Sequence, residues 1–226
     1  MQVNGEKITR LGTTADPRND RITVDGRSLS LPHTPIYLIL HKPVGVVCTL
    51  KDPEGRPTVR ALLKHVRTRV FPVGRLDYDS SGLLLLTNDG EFTERLLHPR
   101  YQIPRTYHAK VKETPSPEAL QMLRNGVTLE DGTVTARATV QVLRITYRKA
   151  WLEITLHEGR NREVRRMCEA VGHPVDKLIR VRFGPLVLTT DLRPGAYRSL
   201  TAPELRTIKR MTQTGGRQPA PAELRA

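Results

Sequence analysis

Cysteine is nearly absent from this chain: Cys48 and Cys168 are the only two among 226 residues. Two isolated thiols supply neither a disulfide framework nor a zinc ligand set, so a reducing compartment is expected. Aromatic residues are scarce as well, at 4%, which argues against a surface that grips unpaired bases with a row of stacked rings. Apolar runs are short. The longest, at residues 37–40 and 83–86, fall far below the ~20 residues that a membrane-spanning helix needs. The opening Met1-Gln2-Val3-Asn4-Gly5 carries no apolar signal region, and a cytoplasmic protein with no membrane partner is expected. Also missing are a Gly-Lys-Ser/Thr phosphate loop, a Gly-x-Gly-x-x-Gly turn and any clustered metal ligands. Neither a cofactor nor a metal is expected.

Positive charge, by contrast, is abundant. Lys and Arg number 37 against 23 Asp and Glu, a net charge of +14. Such an excess points to a polyanionic partner, nucleic acid above all, bound through phosphates and shape. Hydrophobic residues make up 38%, enough for a real core, and the length fits one sizeable domain with a small companion.

The chain is organised around Gly74-Arg75-Leu76-Asp77-Tyr78-Asp79-Ser80-Ser81-Gly82-Leu83-Leu84-Leu85-Leu86-Thr87-Asn88-Asp89-Gly90. Its first nine residues form a polar turn with two carboxylates, two serine hydroxyls and one guanidinium. Four leucines follow, closed by a turn signal. A short apolar run bounded by turn residues reads as a fully buried strand, a rigid support on which a polar loop can hold a catalytic group. Before it, residues 1–31 show short strand patterns around the turn pairs Asn4-Gly5 and Asp25-Gly26, residues 31–35 read as a linker, and residues 36–40 read as another buried strand. Residues 58–66 have helical spacing, with Leu62, Leu63 and Val66 on one face.

Beyond the central stretch, residues 91–97 read as a short helix started by Asn88 or Asp89. Residues 105–111 alternate like a strand. Ser116-Pro117-Glu118 opens a helix that Asn125-Gly126 closes, and residues 135–143 and 151–156 read as an antiparallel pair. Asn161 is placed to cap a helix running to Ala170, with Gly172 beyond its end. Thr201-Ala202-Pro203-Glu204 is a capping box for a last helix reaching about Met211. The Gly-, Pro- and Ala-rich tail at 212–226 is expected to be disordered. An α+β architecture follows, with a central, mostly antiparallel sheet and flanking helices.

The spelling G-R-L-D-x-x-S-x-G-L-L-L-L-T-N-D-G resembles the signature of pseudouridine synthases, in the branch that modifies bacterial ribosomal RNA. The resemblance covers residues 36–211, with residues 32–211 as the catalytic domain. It implies that Asp77 is the catalytic residue and that Arg75 fills the space vacated when the target base is flipped out. His41-Lys42-Pro43-Val44-Gly45 resembles the loop that opens the family's domain; Lys42 is either an RNA contact or a solvated turn lysine. Arg105-Thr106-Tyr107-His108-Ala109-Lys110-Val111 resembles the second motif, whose tyrosine, here Tyr107, lies against the base. Gly159-Arg160-Asn161-Arg162-Glu163-Val164-Arg165-Arg166-Met167 resembles the third, whose basic residue pairs with the catalytic aspartate; by position that is Arg165. Arg160, Arg162 and Arg166 would then face phosphate. Leu178 matches the apolar residue that the family's last strand places near the base. Residues 1–31 resemble the strand-rich half of an S4-type RNA-binding domain.

The resemblance implies a cofactor-free isomerase acting, as a monomer, on ribosomal RNA or a ribosomal precursor particle, and on large-subunit RNA in particular. Two other classes compete. A non-catalytic S4-type RNA-binding protein would have no use for Asp77, Tyr107 and Arg165 together. A base-modifying hydrolase such as a deaminase would need a zinc-binding His/Cys set, which Cys48 and Cys168 do not supply.

Overall fold

The structure, a computed structural model, describes residues 1–16, 19–29 and 34–213. It divides into two compact units, residues 1–35 and the residues from 36 onward. Residues 31–33 of the expected linker, and the expected tail from 214, lie outside the described residues.

The first unit is a four-stranded antiparallel sheet of β1 (Gln2–Val3), β2 (Glu6–Lys7), β3 (Ile22–Val24) and β4 (Arg27–Ser28), in the order β2-β1-β3-β4. Both turn pairs lie at positive φ, 52° and 90° at Asn4-Gly5 and 50° and 76° at Asp25-Gly26. Two consecutive positive values define the hairpin turn whose twist matches the flanking strands, which is why these dipeptides forecast it.

The second unit is built on a nine-stranded sheet. Its strands are β5 (Tyr37–Lys42), β6 (Phe71–Pro72), β7 (Ser80–Thr87), β8 (Arg105–Lys112), β9 (Thr139–Thr146), β10 (Lys149–Leu156), β11 (Val175–Phe183), β12 (Leu186–Val187) and β13 (Tyr197–Ser199). They run in the order β13-β5-β7-β11-β8-β10-β9, with β6 on β7 and β12 on β11. Among these strands only β7 and β11 run parallel; the other pairings are antiparallel. Helices α1 (Val59–Leu62), α2 (Gly90–Leu97), α3 (Pro117–Asn125), α4 (Glu163–Ala170) and α5 (Ala202–Met211) flank the sheet. The α+β architecture with a mostly antiparallel mixed sheet is the one expected.

The leucine run is continuous because both faces of β7 are covered. Side chains alternate across a strand, so Leu83 and Leu85 meet Phe92 and Leu96 of α2 and Ile208 of α5, while Leu84 and Leu86 meet Val59 and Leu63. All four leucines are fully buried, each contributing about 1.5–3 kcal/mol relative to exposure. A third cluster joins Ala109, Val111, Leu152 and Ile154 of β8 and β10 to Leu123 of α3 and Val164, Met167 and Cys168 of α4.

Two local expectations are corrected. The helix forecast over residues 58–66 is a single turn. The amide of Leu63 donates to the carbonyl of Arg60 and that of Val66 to the carbonyl of Leu63, three-residue turns that tighten the chain and end the helix. The N-cap of α4 is Arg162, in the left-handed region at φ 47°, and not Asn161.

Candidate active site

A cavity of about 300 Å³ opens where the loop entering β7 faces β8, β11 and the N-terminal end of α4, lined among others by Arg75, Asp77, Tyr107, Arg162, Glu163 and Leu178. That volume is at the lower end of the roughly 300–1,000 Å³ typical of small-molecule sites. Strand pairing assembles it from distant segments. Leu178 pairs with Ser80 in the parallel register, and Tyr107 pairs with Arg180 across β8 and β11. Asp77, Tyr107, Leu178, Arg75, Arg160 and Arg162 thus line one cavity, whereas Lys42, Arg165 and Arg166 are not among its lining residues.

The ion pairs at this site differ from the expected set. The amide of Ser80 donates to the carbonyl of Asp77 at 3.1 Å, a turn that leaves Asp77 on the cavity and brings Asp79 to α4. Buried Arg165 therefore pairs with Asp79, Nη2 to Oδ2 at 3.2 Å, and not with Asp77. It also donates to the carbonyls of Asp79 at 2.9 Å and Val175 at 3.1 Å. Arg165 is thus a staple that holds the backbone of the Asp77 loop. The cation nearest Asp77 is Arg162, whose Nη1 lies 3.8 Å from Asp77 Oδ2 while its fork grips Asp79 at 3.1 and 3.2 Å. The left-handed turn at Arg162 brings its guanidinium to that loop. Asp79, which the sequence shows only as the second carboxylate of the motif, is held by both arginines, and Arg162 first among them lowers its pKa against the opposing effect of burial.

The other basic candidates are similarly engaged. Arg160 Nε bonds to Glu158 at 2.9 Å, and Arg166 pairs with Glu130 at 3.0 Å and with Asp131 at 2.5 Å. Lys42 is not a solvated turn lysine, and its burial counts against an RNA contact. It is fully buried, with Nζ donating to the carbonyls of Pro43 at 2.9 Å and Ser80 at 2.8 Å. Burial, the largest influence on it, lowers its pKa. This lysine ties the end of β5 to the start of β7. Lys42→Met is expected to leave both carbonyls without that donor and to destabilise the fold by roughly 1–3 kcal/mol. The salt dependence of RNA binding should stay unchanged. A melt paired with a binding series across salt concentrations checks both; a shallower salt slope at unchanged stability would return Lys42 to the RNA surface.

Sequence reasoning missed Glu163. An acid in the first turn of a helix is ordinary, and nothing in its spacing signals burial. Its side chain nevertheless lines the cavity wall at 4% exposure, with Oε2 accepting from the amide of Arg160 at 2.9 Å. Burial first, and then the hydrogen-bonded Glu158 carboxyl, raises its pKa to about 7. Burial pushes the Glu158 pKa up, but hydrogen bonds with Glu163, the Ala136 amide and Arg160 lower it on balance, so Glu163 is the carboxyl of the pair that protonates more readily. A carboxyl with a raised folded-state pKa stabilises fully below its unfolded value of about 4.3, and this contribution is lost as pH rises to about 7. Wild-type stability should therefore fall between pH 4.5 and 7, relative to Glu163→Gln, by up to about 1.4 kcal/mol per pH unit. Denaturant titrations at pH 5 and 7 measure it. Parallel curves for the two proteins would show that Glu163 does not hold the proton.

The RNA pseudouridylate synthase family model matches residues 36–170. Ribosomal large subunit pseudouridine synthase B of Bacillus subtilis (strain 168) is 43% identical over 217 residues, covering 95% of this chain and 87% of that protein. The protein of the same name from Pseudomonas aeruginosa is 43% identical over 210 residues, covering 91% of this chain and 54% of its own. A crystal structure of a pseudouridylate synthase superposes with a TM-score of 0.74 at 28% identity, over 92% of this chain and 87% of the other. With its motifs gathered on one cavity and relatives that match nearly its whole length, the chain belongs to the RNA pseudouridylate synthase family.

Proposed function

We propose that this protein converts a specific uridine of large-subunit ribosomal RNA to pseudouridine. The observation that carries the reading is that Asp77, Tyr107 and Leu178, drawn from three separate motifs, line one cavity. The names of the relatives at 43% identity favour large-subunit RNA as the substrate. The reaction breaks the bond from uridine N1 to the ribose, makes one from C5 to the same carbon and moves the C5 proton, so no atom is gained or lost. The base is first extruded from the folded RNA at a cost of about a few kcal/mol, and Arg75, exposed at the cavity, takes the place it leaves.

Asp77 supplies the carboxylate that acts on the sugar or the ring, Leu178 packs on the flipped base, and Tyr107 takes the C5 proton or packs where it leaves. Arg162 balances the charge of Asp77, and Arg165 positions the loop. The first 31 residues are read as a partial S4-like RNA-binding segment, and the protein as a monomer acting in the cytoplasm on ribosomal RNA or its precursor particle. Pseudouridines mapped in ribosomal RNA from strains with and without this protein test the reading. Loss of a discrete site in large-subunit RNA is expected, and identical maps would overturn it.

A further inference from the structure

A second cavity, of about 460 Å³, adjoins the first. Asp52, Arg56 and Tyr78 line it, and the wall it shares with the first carries Arg75, Asp77 and Arg162. Its rim is built. Asp52 holds the Arg56 guanidinium in a fork, Nε at 3.1 Å and Nη2 at 2.8 Å, and also accepts from the Arg56 amide at 2.9 Å. The Tyr78 carbonyl accepts from the amide of Gly45 at 2.8 Å. A Cβ on Gly45 would come 3.9 Å from the Tyr78 hydroxyl, which places that turn beside the ring. About half of Tyr78 nonetheless remains exposed, 49% of its surface. A lone exposed tyrosine is unremarkable on a protein surface. This one directly follows Asp77 and borders a cavity that shares lining residues with the candidate active site.

We infer that the second cavity receives the nucleotide next to the target uridine, its base stacked on Tyr78. The inference rests on the function proposed above. Consecutive nucleotides share one phosphate, so a neighbour in the adjoining cavity must send that phosphate across the common wall. Arg75 and Arg162, both on that wall, put positive charge along the phosphate's path, although the Arg162 fork itself stays on Asp79. An aromatic face accepts any base, which suits contact with a neighbour rather than selection of the target.

The test uses the full-length protein and synthetic RNA fragments spanning the modified uridine, either intact or abasic at its 5′ or its 3′ neighbour. Tyr78→Ala is expected to bind the intact fragment about tenfold more weakly than the wild type, the scale of one lost base–aromatic stack. Tyr78→Phe keeps the ring and should bind as the wild type does. The wild type should lose a similar factor on one of the two abasic fragments, and Tyr78→Ala should lose nothing further on that same fragment. Wild-type affinity in a Tyr78→Ala protein that melts normally would overturn the subsite, as would losses that multiply on both abasic fragments. In either case the wild type still converts the uridine, so the proposed function stands. A wild type that binds the intact fragment and converts no uridine overturns that function, and the subsite with it.

Discussion

Asp77→Asn is expected to lower pseudouridine formation by at least about 10³-fold, with thermal stability and RNA affinity nearly kept. The size follows from removing an acid, base or nucleophile whose partners are otherwise in place. The selectivity follows from the surroundings. The Asp77 side chain is about a third exposed, and its ion pair is the 3.8 Å contact to Arg162. A half-solvated pair at that distance contributes about 1 kcal/mol or less. Arg162 and Arg165 keep Asp79 after the substitution, so the loop retains its staples. Single-turnover conversion of ribosomal RNA transcripts, with a binding isotherm and a melt, separates chemistry from folding. Substantial turnover by Asp77→Asn would move the assignment to Asp79, the other carboxylate of the loop.

Gly82→Ala is expected to cost the fold about 4 kcal/mol or more. Gly82 sits at φ 117°, and a Cβ there would lie 2.3 Å from the carbonyl oxygen and 2.5 Å from the nitrogen of Arg180. Both obstacles are backbone atoms of β11, the strand to which Gly82 is paired, so no side chain can swing away. The unfavourable backbone angle adds a further penalty. At roughly 2–4 °C per kcal/mol for a domain of this size, the melting temperature should drop by about 10 °C or more, or cooperative melting should vanish. A variant that melts within a few degrees of the wild type would contradict the close approach of β7 and β11.

The parts legible in the sequence were those set by local chemistry. The buried leucine strand announced itself because apolar residues at consecutive positions leave neither face for water. Ser116 and Thr201 accept from the amides three residues on, as their capping patterns implied, and Asp89 does the same for Phe92. Residue-by-residue resemblance placed Asp77, Tyr107 and Leu178, and the cavity brings them together. The partners of the arginines were not legible. Arg162 and Arg165 lie three apart, and which one faces Asp77 depends on a left-handed turn at Arg162 that its side-chain chemistry does not favour. The burial of Lys42 was hidden for a similar reason. Lysine at a strand end ordinarily reaches solvent, and only the arrival of the Ser80 carbonyl from another strand gives its ammonium a partner inside.

The parallel pairing of β7 with β11 also bears on when the protein becomes active. Arg180 Nε donates to the carbonyl of Leu83 at 2.8 Å, a bond spanning 97 residues. Contacts of such sequence separation carry a large loop-closure entropy and form slowly relative to local hairpins. A chain emerging from the ribosome at about 5–20 residues per second displays the Asp77 loop several seconds before β11 exists to support it. During that interval β7 has β5 and β6 to pair with, but the cavity walls supplied by β8, α4 and β11 are still missing. Catalytic competence therefore arrives late in synthesis, as one step with closure of the sheet.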